Sequence, residues 1–228
     1  MRVFHVLVVA VGLLARVASG AAAEIDFEVA PLDSVPPGFS AAVTGGGPPG
    51  IWTVQEDPAA PRGSRVLVQS STDATSGRFP LCIYDPVMAR DVAVAVDFKP
   101  IAGAVDRAAG IIWRYRDPGN YYVVRANALE GNVVLYKVEA GKRTDLKPLG
   151  AGFFAYGRSA SVPSGKWSTL RLEARGERFS VSLDGRHLFD VEDRTFTEPG
   201  RVGLWTKADS VTAFDRLVVE PLDPPADP

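Results

Sequence analysis

From Gly110 to Glu139 the chain reads GIIWRYRDPGNYYVVRANALEGNVVLYKVE, and apolar and polar positions alternate with a period of two through three successive runs. Turn chemistry separates the runs, first Asp117-Pro118-Gly119-Asn120 and then the shorter Leu129-Glu130-Gly131. The pattern predicts three consecutive antiparallel strands. With Arg116 set opposite Tyr121, one face collects Ile111, Trp113, Tyr122 and Val124, and the next hairpin adds Val134, Tyr136 and Val138 to it. That face is expected to lie in the core. The opposite face gathers Arg114, Arg116, Tyr121, Arg125, Asn127, Lys137 and Glu139 on central strands, where a ligand is expected.

The same short alternation recurs along the rest of the chain, between turns rich in Gly, Pro and Asp, and helical periodicity is almost absent. Strands are expected at Glu24 to Val29, Ile51 to Val54, Arg65 to Gln69, Leu81 to Tyr84 and Val92 to Lys99. Later ones are expected at Trp167 to Ala174, around Phe179, Val181 and Leu183, at His187 to Val191, at Arg201 to Lys207 and at Ala213 to Glu220. Asp184-Gly185 is a two-residue hairpin signal. Residues 140–166 have no regular pattern and read as a loop or a loose hairpin bordering a groove. About a dozen strands without helices require two stacked sheets or a closed barrel, because a single sheet leaves an apolar face in water. The expected fold is an all-β jelly-roll sandwich of two antiparallel sheets.

The N-terminus changes the picture of where this domain works. Arg2, an apolar run from Val6 to Leu14 and the small residues Ala18 to Ala23 form a secretory signal peptide, with cleavage expected after Ala23. The apolar run is too short for a membrane-spanning helix. The expected organisation is a leader over residues 1–23, one β domain over 24–220 and a frayed, proline-rich tail over 221–228. An exported chain, periplasmic or extracellular and free of the membrane once processed, follows. Loss of the leader removes Arg2 and Arg16, leaving 23 basic against 27 acidic side chains. Such a balance argues against nucleic acid as partner. Cys82 is the single cysteine, so no internal disulfide is available, and its PLCIY setting reads as a buried strand.

Two blocks resemble a known superfamily. AAGIIWRYRDPGNYYVVRANALEGNVVLYKVEAGKRTDL and GRVGLWTKADSVTAFDRLVVE are similar to the concanavalin A-like lectins and glucanases, and most of all to exported bacterial domains named for 3-keto-disaccharide hydrolase. KWSTLRLEARGERFSVSLDGRHLFDVED is similar to the same family's pattern of a Trp-led strand, a second strand and an Asp-Gly hairpin. The resemblance runs from about Trp52 to Glu220. It implies a jelly-roll sandwich that handles a carbohydrate or glycoside, as a binding module or as a glycoside hydrolase or lyase. It supplies no catalytic residue set.

Candidate chemistry is therefore weighed residue by residue. Arg114 and Arg125 offer planar donors, Asn127 donates and accepts, Tyr121 offers a ring for a sugar face, and Lys137 an ammonium. Trp205 and Lys207 share a strand face and extend this candidate site, with a core position for Trp205 as the alternative. The carboxylates expected near the sheet rim are Asp106, Glu130, Glu139 and Asp209. Glu24-Ile25-Asp26-Phe27-Glu28 matches the catalytic strand pattern of retaining glucanases, but it abuts the cleavage site rather than the middle of a sheet, so it reads as an ordinary first strand. His187 is the one histidine of the processed chain, which excludes a site built on two or more histidines and reads as a solvated turn residue. Gly45-Gly46-Gly47 lacks the Lys-Ser/Thr of a phosphate loop. Calcium near Asp209, Ser210 or Asp215 has no supporting ligand pattern, and no cofactor is expected. A structural or protein-binding domain without a sugar site remains the third alternative.

Overall fold

A computed structural model describes residues 22–222. The expected leader, apart from Ala22 and Ala23, lies outside the described residues, as do residues 223–228. In chain order the strands are β1 (Ala23–Ile25), β2 (Phe39–Gly45), β3 (Trp52–Glu56), β4 (Arg65–Gln69), β5 (Arg78–Ala89), β6 (Val92–Ala102), β7 (Ala108–Asp117) and β8 (Asn120–Asn127). They continue with β9 (Asn132–Glu139), β10 (Lys142–Leu146), β11 (Arg158–Ser159), β12 (Ser168–Arg175), β13 (Arg178–Leu183), β14 (Arg186–Glu192), β15 (Gly200–Trp205) and β16 (Val211–Pro221). No helix occurs among the described residues.

The strands form two antiparallel sheets. The first has the order β14-β13-β12-β6-β16-β4-β3 with β1 paired to β16, and the second β10-β9-β8-β7-β15-β5-β2 with β11 paired to β9. Sequential hairpins build one edge of each sheet, while β15 and β16 enter the middle from far along the chain. The main core lies between the sheets. Val94, Val96, Phe98, Leu172, Phe179, Val181 and Phe214 face Cys82, Ile111, Trp113, Tyr122, Val124, Leu135 and Leu204 across it. The alternation of β6 and β12 places their other side chains, such as Ala95 opposite Arg171, on the outer face of the first sheet.

A second apolar cluster lies on the opposite face of the second sheet. Phe79, Leu81, Ile112, Tyr121, Val123, Val134, Tyr136, Val138 and Trp205 belong to it, and none of them meets the first sheet. These residues are nonetheless buried, Tyr121 and Val123 completely. This buried apolar layer is the floor of the outer face, and it is the face on which a site is to be sought.

Several expectations need correction. Val134, Tyr136 and Val138 belong to this outer floor, and the core residues of β9 are Val133 and Leu135. Residues 140–166 contain β10 and β11, both paired to β9. The first strand ends at Ile25, and Phe27 takes a left-handed φ of 63°, so Glu24, Asp26 and Glu28 do not line one strand face. Glu28 instead accepts the backbone N–H groups of Ser64 and Arg65, at 2.9 and 2.6 Å, and Glu24 pairs with Arg62 at 3.3 Å. At the other end Pro221 still belongs to β16, and the Leu222 N–H donates to the Asp91 carbonyl at 2.9 Å.

Candidate functional site

β8 sits beside β9 in the middle of the hairpin edge, in the register Arg125 opposite Val134 and Val123 opposite Tyr136. This register aims Arg125 and Tyr136 to the same outer face. Arg125 Nη2 donates to the Tyr136 hydroxyl at 2.7 Å, to the Tyr156 hydroxyl at 3.2 Å and to Glu130 Oε2 at 3.0 Å, and Nη1 donates to Asn132 Oδ1 at 3.2 Å. The Tyr136 and Tyr156 hydroxyls also bond to each other. Burial opposes the charge on Arg125, but the Tyr136 oxygen and the Glu130 carboxylate outweigh it and raise its pKa. Burial works against ionisation of Glu130 as well, yet Arg125 and Asn132 hold its pKa below the usual carboxylate range. Arg125 is therefore a fixed cation and Glu130 a fixed anion.

Asn127 is the pivot of the adjoining loop. Its Oδ1 accepts the N–H groups of Leu129 and Glu130, at 2.8 and 3.1 Å, which closes the β8-β9 turn. Its Nδ2 donates to Asp106 Oδ1 at 2.7 Å and to Glu130 Oε1 at 3.1 Å. Lys207 completes the cluster through an ion pair with Asp106 Oδ2 at 2.5 Å. Arg125, Asn127 and Lys207, expected together from the sequence, are thus joined through Asp106 and Glu130. Asp209 stands beside them with its carboxylate taken up by the backbone N–H groups of Ala104, Val105 and Asp106. Among the described residues no group of three or more His, Cys, Asp and Glu side chains converges as a metal site would.

Tyr121 and Trp205 lie further along the same floor. Trp205 stacks on Phe79 with ring centroids 5.5 Å apart, and Tyr121 bonds through its hydroxyl to Thr44 Oγ1 at 2.9 Å. Burial pushes the Tyr121 phenol up to about 12, so it remains a neutral hydrogen-bonding group. Both are fully buried and form the base of the floor rather than its accessible surface.

Arg114 and Lys137 lie on the other side of the sheet. β7 carries a bulge between Trp113 and Asp117, where Arg114 adopts a φ of 47°. The bulge turns Tyr115 outward beside Tyr121 and drives Arg114 inward. Its guanidinium donates to the carbonyls of Arg90 (2.9 Å), Phe196 (2.8 Å) and Gly176 (2.5 Å) and pairs with Asp91 at 3.3 Å. This is a clamp on three loops. Lys137 stands opposite Tyr122, a core residue, and donates to Thr195 Oγ1 at 2.8 Å with Asp193 at 3.8 Å.

Sequence reasoning missed three residues of this face: Tyr136, Tyr156 and Arg143. Arg143, on β10 opposite Val138, lies over the floor with its guanidinium carbon 4.4 Å from the centroid of Tyr136, 4.7 Å from Phe79 and 5.8 Å from Trp205. Tyr156 is half exposed on the loop between β10 and β11, near the exposed Phe153 and Phe154. A pocket of about 410 Å³ opens on the outer face of the first sheet, lined by Pro61, Arg62, Asp97, Trp167, Thr169 and Arg216. Its charges are internally balanced, with Arg216 Nε on Asp97 at 2.9 Å.

The architecture is a two-sheet antiparallel β-sandwich. Solved structures similar to it include the carbohydrate-binding module CBM66 from Bacillus subtilis, with a TM-score of 0.55 and 22% identity over 74% of this chain and 94% of that one. The cellulose-induced protein Cip1 aligns with a TM-score of 0.60 and 14% identity, covering 88% of this chain and 97% of the other. Domain 4 of AbnA, a GH43 extracellular arabinanase from Geobacillus stearothermophilus solved with arabinotriose, aligns with a TM-score of 0.54 and 15% identity, covering 87% and 91%. Identities this low establish the shared fold and nothing finer. No protein-family model matches the chain, and no curated protein matches it by sequence.

Proposed function

We propose that this is an exported carbohydrate-recognising module that binds a saccharide on the outer face of its second sheet. The observation that carries this reading is the convergence of Arg125, Tyr136 and Tyr156, with Glu130 and Asn127, at the edge of an aromatic floor. A pyranose presents an apolar C–H face and a rim of hydroxyls. The half-exposed Tyr156 ring suits the first, and the Glu130 carboxylate, part-exposed and held in place by Arg125, suits the second. The similarity of fold to carbohydrate-binding modules supports this reading, and the leader expected over residues 1–23 supports export.

A hydrolase or lyase of the 3-keto-disaccharide type is the second reading, favoured by one feature. Asp106 and Glu130 both accept from Asn127 Nδ2, at 2.7 and 3.1 Å, which brings two carboxylates together as a glycosidase requires. General acid catalysis needs a carboxyl that keeps its proton near neutral pH. Glu130 has its pKa held down by Arg125, and Asp106 is ion-paired to Lys207. Binding without turnover is therefore favoured.

The test is titration of the chain lacking its first 23 residues against a panel of oligosaccharides, including 3-keto disaccharides, with product formation followed in parallel. Saturable binding without product is expected, weakened at least tenfold in Arg125→Met. Product formation lost in Glu130→Gln would establish the hydrolase instead. Absence of binding and turnover would leave a structural or protein-binding domain.

A further inference from the structure

Every cation named on the recognition face except one has a carboxylate of its own. Arg125 has Glu130 at 3.0 Å, Lys207 has Asp106 at 2.5 Å, and Lys147, on the loop after β10, has Asp145 at 2.6 Å. Arg143 has no carboxylate within 4.0 Å among the described residues, and its guanidinium makes no hydrogen bond there. Its Nη1 is shielded from solvent and unpartnered. The side chain as a whole is only partly buried.

The setting of Arg143 is unusual for a surface arginine. Phe79, Tyr136 and Trp205 approach it within 6 Å, so the guanidinium is held by cation–π attraction. Those rings fix its position and orientation but accept few of its protons. A guanidinium has five N–H donors in a planar fork that matches a carboxylate, and leaving a buried donor unserved is unfavourable. The face therefore presents a pre-positioned cation whose anionic partner is not supplied by the chain. The neighbouring tyrosines supply hydroxyl-directed contacts, so the missing anion and the sugar rim are met at one place.

We propose that Arg143 receives a carboxylate of the bound saccharide, and that the ligands of this module are acidic oligosaccharides carrying uronate residues. The proposal rests on the reading of this face as a saccharide site and names the class of sugar. Neutral oligosaccharides make the contacts to Tyr136, Tyr156 and Arg125 but leave Arg143 unmet.

Matched pairs separate the proposal from the reading beneath it. Uronate oligomers of several linkages, galacturonate, glucuronate and mannuronate among them, are titrated by calorimetry beside their methyl esters, which keep the shape and remove the charge. Binding of at least one acid tenfold or more tighter than its ester is expected, with the difference falling as salt rises. In Arg143→Gln acid and ester bind alike, and Arg143→Lys restores part of the preference. Equal binding of acid and ester by the unaltered chain overturns the acidic ligand class while the saccharide site stands. Binding of neither acids, esters nor neutral oligomers overturns both. The comparison on the unaltered chain decides the matter even if Arg143→Gln fails to fold, and thermal unfolding identifies that case.

Discussion

Arg114→Met separates the clamp on the inner side of the second sheet from the face proposed for recognition on its outer side. The substitution keeps the aliphatic stem against Phe179, whose ring centroid lies 5.3 Å from the guanidinium carbon, and removes the charge and all donors. Three carbonyls, those of Arg90, Phe196 and Gly176, then lose a charge-assisted bond, and Asp91, 6% exposed, loses its cation. Hydrogen bonds to charged groups contribute about 1.5 to 3 kcal/mol each, so three would suggest a loss of roughly 5 kcal/mol or more. That figure overstates the effect, because the carbonyls lie on loops that can turn to water, and Asp91 keeps the Gly176 N–H at 2.9 Å. Breaking a buried pair typically costs about 3 to 5 kcal/mol, and that is the expected loss. For a domain of this size it lowers the melting temperature by roughly 6 to 20 °C. Urea unfolding followed by tryptophan fluorescence measures it, with the midpoint falling and the slope unchanged. A loss below 1 kcal/mol would show that Arg114 does not hold those loops. Saccharide affinity lost with stability intact would return Arg114 to the binding face.

Two further perturbations probe other parts of the sandwich. Asp215 is fully buried, and burial, assisted by Asp97 and Glu28 against the N–H groups of Arg62 and Arg216, pushes its pKa up to about 6. A carboxyl raised in the folded state keeps its proton there after the unfolded chain has lost it. Its contribution to stability is therefore full below about pH 4 and is lost as the pH rises to about 6. The stability difference between the unaltered chain and Asp215→Asn should shift in favour of the variant across that window and be flat above it; a difference independent of pH would refute the raised pKa. At Gly203, in the centre of the second sheet, an added Cβ stands 2.4 Å from the Cys82 carbonyl oxygen and 3.0 Å from the Ile83 Cα. Backbone must move to admit it, so Gly203→Ala should cost at least 1 to 3 kcal/mol in urea unfolding, and a neutral result would show that β5 and β15 separate freely.

The phase of the central hairpins shows how far alternation carries. In β8 the phase was legible from its end: Arg125 and Asn127, in step with Tyr121, mark the outer face, and Tyr122 and Val124 face the core. β9 offers no such contrast, because Val133 and Leu135 on one face and Val134, Tyr136 and Val138 on the other are all buried. Its phase depends on the loop alone. Leu129-Glu130-Gly131 suggests three connecting residues, whereas Asn127 pairs directly with Asn132 and leaves four, since the Asn127 side chain folds the turn from one position earlier. One residue of loop length inverts every side chain beyond it. That residue moved Tyr136 to the outer floor and Lys137 to the inner side.

The bulge in β7 acts in the same way on Arg114, and nothing in RYRD announces it, since no glycine marks the residue with positive φ. Arg143 was hidden for another reason. KRTDL carries one apolar residue, Leu146 at its end, as befits an edge strand that meets water, so alternation has almost no apolar signal to follow. An arginine in such a strand is indistinguishable in sequence from a solubilising charge. Its significance comes from Phe79, Tyr136 and Trp205, which reach it from three other strands of the sheet. Core strands were legible because burial imposes a pattern on neighbouring residues. The face proposed for recognition is assembled across strands by register, and register depends on the turns and bulges that local pattern leaves unspecified.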